Sequence, residues 1–86
     1  MKIARAARFK KAWGELSHAE KHLARKAITH LISDMHYPAL RVKKIKGVSN
    51  IWEARASLSL RITFQIAGDV IILRNIGHHD ETLKRP

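Results

Sequence analysis

Two histidines stand side by side near the end of the chain, in Gly77-His78-His79-Asp80. They follow an apolar run through Ile72 and Leu73. An imidazole titrates near neutrality and can hand a proton to a leaving group. Upstream, Arg55, Arg61 and Arg74 recur in strand-like runs, with Glu53 two residues before the first of them. Guanidiniums stabilise negative charge growing on a transferring phosphoryl group, and a carboxylate can accept a proton. These are the parts for metal-free RNA cleavage. The ribose 2′-hydroxyl attacks the adjacent phosphate, and an acid protonates the departing 5′-oxygen. The substrate supplies its own nucleophile, so no Ser or Cys is required. The same residues admit a plainer reading. Polar side chains alternate outward on any half-exposed strand, and a histidine pair past a strand end can be a polar C-terminal loop.

For these groups to meet, three strands must pair in a particular register. "NIWEARAS", "LRITFQIA" and "VIILRNI" are short and rich in β-branched and aromatic residues, as strands are. Gly68-Asp69 between the last two suits a two-residue turn of type II′. Closing Ser57-Leu58-Ser59 as a three-residue loop sets Arg55 opposite Arg61 and Glu53 opposite Thr63. The Gly68-Asp69 turn sets Arg74 opposite Thr63. Strand parity then buries Leu60, Ile62, Phe64 and Ile66 with Trp52, Ala54, Ala56, Ile71 and Leu73. Glu53, Arg55, Arg61 and Arg74 collect on the other face. Like charges on paired strands cost stability, so an anionic occupant of that face is expected.

The first half reads as helical. Phe9, Ala12, Trp13 and Leu16 recur at helical spacing between Arg5 and Leu16. Ser17 with Glu20 three residues on is a capping-box signature. It opens a second helix with Leu23, Ala27, Ile28, Leu31 and Met35 on one face. That helix should stop near Asp34–His36, since Pro38 disfavours helix at Tyr37. The expected fold is α+β: a helical hairpin packed on a three-strand antiparallel meander, with room for a short strand before the first helix. The 86 residues fit one domain, 1–86.

Composition narrows the partners. Seventeen Lys and Arg face seven Asp and Glu, a formal net charge of +10. Such a field draws nucleic acid, an anionic membrane or an acidic protein. With 45% hydrophobic residues, the chain reads as a folded domain with a basic face rather than a disordered basic tail. Arg41, Lys43, Lys44 and Lys46 cluster just before the sheet, either as an RNA-backbone contact or as a solvated run. There is no cysteine, hence no disulfide or thiolate zinc site. His18, His22, His30 and His36 lie on or near the long helix without the spacing of a metal site. No metal and no cofactor is expected. No apolar run is long enough to span a membrane, and the start lacks the apolar region of a secretory signal. A cytoplasmic protein is expected.

The succession "SHAEK", "VKKIKG", "IWEARAS", "LRITF", "GDVIILRNIGHHDETL" resembles the RelE/ParE superfamily of bacterial toxins. The resemblance covers nearly the whole chain and is strongest from Lys43 to Pro86. It implies a compact α+β toxin neutralised by a cognate antitoxin. RelE-like members cut messenger RNA in the ribosomal A site; ParE-like members poison DNA gyrase. By this resemblance Arg61 falls where RelE-like toxins place the arginine that steadies the scissile phosphate. Arg55 matches a basic residue on the preceding strand, and His79 matches the terminal acid of the YoeB and YafQ branches. His78 is one step off that register and is the lesser candidate. Where the YoeB branch has a carboxylate before the sheet, this chain has Lys43. Glu53 is a carboxylate at a position where RelE has a lysine, and is the candidate base. Arg41, Lys43, Lys44, Lys46 and Arg74 are the RNA-binding candidates. A ribosome-dependent mRNA endonuclease with an acidic antitoxin is the implied function. A gyrase inhibitor and a non-catalytic RNA-binding module are the alternatives.

Overall fold

The computed structural model describes residues 1–86. Strand β1 (Lys2–Arg5) is followed by helices α1 (Ala7–Gly14) and α2 (His18–Ser33), a 3-10 turn (Pro38–Leu40) and strand β2 (Lys43–Lys44). Strands β3 (Trp52–Arg55), β4 (Leu60–Ala67) and β5 (Val70–His78) and helix α3 (His79–Lys84) complete the chain. The five strands form one sheet in the order β1-β5-β4-β3-β2. Strands β2 to β5 pair antiparallel; β1 pairs parallel with β5 and closes that edge. The α+β expectation holds, including the short first strand.

The helices start and stop where local chemistry dictates. Ser17 Oγ accepts from the Glu20 N–H at 3.1 Å, and Glu20 Oε1 accepts from the Ser17 N–H at 2.8 Å. Such a cap stabilises a helix by about 1 kcal/mol. At the other end α2 stops at Ser33, and Tyr37, ahead of Pro38, is extended (φ −52°, ψ 121°). Helix α1 is shorter than its apolar spacing suggested, starting at Ala7 after Ala6 bonds back to the Leu73 carbonyl.

The core lies between the helices and one face of the sheet. Phe9, Ala24, Ala27 and Leu31 from the helices pack on Leu60, Ile62, Phe64, Ile71 and Leu73. Each large side chain fully buried this way contributes roughly 1.5–3 kcal/mol. One helix position differs from expectation. Leu23 is 39% exposed while Ala24 is fully buried. A small residue at 24 lets α2 approach the sheet and turns Leu23 to the rim.

Both turns close as the sequence implies. Ala67 pairs with Val70 around Gly68, whose φ is +60°, while Asp69 stays out of the left-handed region. That combination is type II′ and requires a residue without a Cβ at its first central position. Ser57–Ser59 leaves Arg55 opposite Arg61 and Glu53 opposite Thr63.

The last strand departs from the expected register. Phe64 pairs with Leu73 but Thr63 pairs with Asn75, so Arg74 is the extra residue of a β-bulge and does not sit opposite Thr63. Beyond the bulge, strand parity inverts. Ile76 joins the core, Gly77 comes opposite Arg61, and His78 comes opposite Leu60. The histidines also do not end in a loop. His79 begins α3, which lies over the face of the sheet that carries Gly77 and Thr63, away from the core. Thr82 is buried there, over Gly77, where an added Cβ would meet Thr82 Oγ1 at 2.9 Å.

Candidate functional site

Three guanidiniums gather at the β3–β4 end of the sheet. Arg55 and Arg61 are cross-strand partners. The third is Arg41, which follows the 3-10 turn in a left-handed conformation (φ 45°, ψ 48°). A side chain in that region costs on the order of 1 kcal/mol and persists where its surroundings impose it. Burial lowers the Arg61 pKa, and the neighbouring charges of Arg55 and Arg41 lower it further against the opposing pull of Glu53. Arg61 remains cationic, as guanidiniums do in proteins.

What holds Arg61 is neutral. Its Nη1 donates to the carbonyls of Ser57 at 2.9 Å, Leu58 at 3.0 Å and Leu60 at 3.4 Å. No carboxylate lies in salt-bridge contact with it. The Arg55 Nε is buried without a hydrogen-bond partner, and such an orphaned donor is costly. Thus the cluster is positioned but its charge is not neutralised, which is the electrostatic condition of an anion site.

Arg74 does not belong to this cluster. Its Nη1 donates to Gln65 Oε1 at 2.6 Å and its Nε to Pro86 O at 3.0 Å. At ~3.3 Å per residue, Gln65 lies about 13 Å along the strand from Arg61. The bulge and the returning C-terminal segment separate the expected third arginine from the other two, and Arg41 stands in its place. At this end the returning C-terminal segment covers the outer face: Pro86 O also accepts from the Thr63 hydroxyl at 3.0 Å, and the Arg85 carbonyl accepts from Asn75 Nδ2 at 2.8 Å.

The two histidines go to different sides. His78 faces α2, with Nε2 3.4 Å from Glu20 Oε2. The Glu20 pKa is lowered first by the Ser17 backbone N–H, then by the Ser17 hydroxyl, and to a smaller extent by His78. His79 lies at the head of α3 with its backbone N–H donating to the Ser59 carbonyl at 2.9 Å. Its Nδ1 is 3.3 Å from Asp80 Oδ1, and its side chain is half exposed. The loop that holds Arg61 therefore also anchors His79.

Glu53 is buried and faces Lys43 across β2–β3, with Lys43 Nζ at 3.4 Å. Lys43 and Lys44 form the edge strand β2, not a loop, and both are exposed, as is Lys46. Lys44 Nζ rests 6.0 Å from the Trp52 ring centre. Edge lysines of this kind leave a basic rim beside the arginine cluster.

Sequence reasoning named Arg41 only as part of the basic run before the sheet. The sequence, apolar throughout 70–73 and again at 76, does not show the bulge; it is the burial of Ile71 and Leu73 and then of Ile76 that carries the change of parity an unbroken strand cannot meet.

No protein-family model matches the sequence, and no curated protein matches it. Solved structures do. The fold is similar to a chain of the RelB–RelE antitoxin–toxin complex from Methanococcus jannaschii, with a TM-score of 0.76 at 25% identity over 96% of this chain and 99% of that one. It is similar to a YoeB/ParE toxin from Agrobacterium tumefaciens, with a TM-score of 0.77 at 13% identity over 92% of this chain and 99% of that one. YafQ from Escherichia coli gives 0.76 at 11% identity over 94% and 96% of the two chains. At the two lower identities the likeness is one of fold.

Proposed function

From the premise that this chain has the fold of the RelE/ParE-superfamily toxins, we propose that it is the toxin of a type II toxin–antitoxin pair. We propose further that it acts as a ribosome-dependent mRNA endonuclease. One observation carries the reading. Arg41, Arg55 and Arg61 meet without a neutralising carboxylate in contact with Arg61, and His79 is anchored on the same loop as Arg61. A gyrase inhibitor has no use for a proton donor tied to the loop that holds a cationic cluster.

In this mechanism Arg61 and Arg55 hold the scissile phosphate, where charge grows on its oxygens as the 2′-hydroxyl attacks. His79 donates the proton to the leaving 5′-oxygen. Glu53, the buried carboxylate of β3, is the candidate base for the 2′-hydroxyl proton. His78, turned toward Glu20, takes no part. Arg41, Lys44 and Lys46 grip RNA backbone with Lys43, which also pairs with Glu53. Arg74 serves the fold rather than the RNA. No metal and no cofactor enters.

The partner is an antitoxin with an acidic segment that covers the basic face, and the site of action is the cytoplasm, where the ribosomes are. No helix is long and apolar enough to cross a membrane. Induced expression tests the reading. Translation should stop, with new transcript ends inside translated reading frames that vanish when ribosomes are kept off the message. Intact transcripts beside trapped gyrase–DNA adducts would contradict it.

A further inference from the structure

Arg61 and His79 come from different elements, yet both are fixed by Ser57–Ser59. The carbonyls of Ser57 and Leu58 receive the Arg61 Nη1 at 2.9 and 3.0 Å, and the Ser59 carbonyl receives the His79 N–H at 2.9 Å. All three carbonyls of the loop are thus committed to the two residues of the site. The loop is not held by packing of its tip, because Leu58 is 83% exposed. It is held by hydrogen bonds at its base. The Ala56 and Ser57 N–H groups donate to the Leu60 carbonyl at 2.9 and 3.3 Å, and Ser57 Oγ accepts from the Leu60 N–H at 3.2 Å. The Ser57 hydroxyl is the side-chain latch of the loop.

We propose that Ser57–Ser59 is a positioning device that couples the phosphate-holding Arg61 to the proton-donating His79, with Ser57 as its positioning residue. The device uses carbonyl dipoles rather than a carboxylate. A carboxylate would fix the guanidinium equally well but would cancel the charge needed by the phosphate. Carbonyls orient it and leave its net charge in place. Because the same loop ends on His79, movement of the loop changes the spacing between the phosphate site and the acid. A displacement of about 1 Å can cost on the order of 10²-fold in rate.

The catalytic roles rest on the endonuclease reading; the mechanical coupling does not, and the test separates them. In single-turnover cleavage on programmed ribosomes, Ser57→Ala should lower the maximal rate about tenfold with the half-saturating concentration unchanged. Ser57→Thr, which keeps the hydroxyl, should restore it. A Ser57→Ala protein that cuts at the parent rate would overturn the positioning role, as would a defect that Thr does not restore. The second arm needs no activity. Arg61→Met removes the donors to the Ser57 and Leu58 carbonyls, and should speed hydrogen exchange of the His79 amide more than that of the Phe64 amide in the strand centre. Arg74→Met should leave the ratio of the two as in the parent. If Arg61→Met leaves that ratio unchanged, the coupling is wrong. A parent protein that cuts nothing, with the exchange result as expected, would sink the endonuclease reading and keep the coupling.

Discussion

The outer face of the sheet carries arginines at two ends, and they are treated differently. Near the bulge, Arg74 has a side-chain acceptor in Gln65 and a second acceptor in Pro86 O of the returning chain, and Thr63 beneath is fully buried. At the β3–β4 end, Arg41, Arg55 and Arg61 crowd together, Arg55 keeps an orphaned Nε, and Arg61 is held by loop carbonyls alone. The first end shows how this chain satisfies a guanidinium that belongs to its structure. The second is arranged at a cost in stability, since like charges in proximity repel. On the proposed reading the difference assigns the two ends: one is scaffold, and the other receives an anion brought from outside.

The sharpest way to break this contrast is at the acid. His79→Ala should lower single-turnover cleavage by about 10²–10⁴-fold. His78→Ala, on the α2 side, should leave cleavage near the parent. If His78→Ala is the dead variant, the assignment made from the bulged register is wrong.

Next come the two arginine ends. Arg61→Ala should cost about 10²–10³-fold in cleavage, as removal of one preorganised charge-stabilising donor does, without changing the shape of the pH profile. Arg74→Ala should leave cleavage near the parent but lower unfolding free energy by about 1–2 kcal/mol through its lost hydrogen bonds, read by denaturant titration. Equal loss of cleavage in both variants would merge the two ends into one site.

The scaffold end can be stressed by itself. Gly77→Ala drives a Cβ to 2.9 Å from Thr82 Oγ1. It should destabilise by about 1–3 kcal/mol as an overpacked site does, and Thr82→Ala in the same chain should recover most of that. Failure of the double variant to recover would show that the closeness of α3 to β5 is not what limits residue 77.

The mildest change concerns the rim. Replacing Lys43, Lys44 and Lys46 together by Ala should flatten the salt dependence of RNA binding by a log–log slope of about 2, near 0.7 per lost contact on single strands. The cleaved bond should stay the same. An unchanged slope would remove this rim from the interface.

Local features were legible in the sequence because few residues decide them. Ser17 and Glu20 specified the start of α2, Gly68-Asp69 specified its turn, and the length of Ser57–Ser59 specified the pairing of Arg55 with Arg61. Features that depend on how separate segments meet were not. The bulge at Arg74 is stabilised by Gln65 and by Pro86, residues distant in sequence, so a strand read alone keeps its regular register. Six residues of α3 are too few to be a stable helix by themselves; it forms because Thr82 packs over Gly77. Arg41 was visible as a charge but not as a neighbour of Arg61, because that nearness depends on how the segment after the 3-10 turn meets the sheet.

The central claim is that this chain cuts messenger RNA on the ribosome by 2′-hydroxyl attack. Purified protein mixed with ribosomes stalled at a defined codon, with the products resolved by length and end chemistry, tests it most directly. The account predicts one cut within the ribosome-bound codon, leaving a 2′,3′-cyclic phosphate and a 5′-hydroxyl, and no cut at that site in naked RNA. A 5′-phosphate end, equal cutting of naked RNA, or an intact message would contradict it.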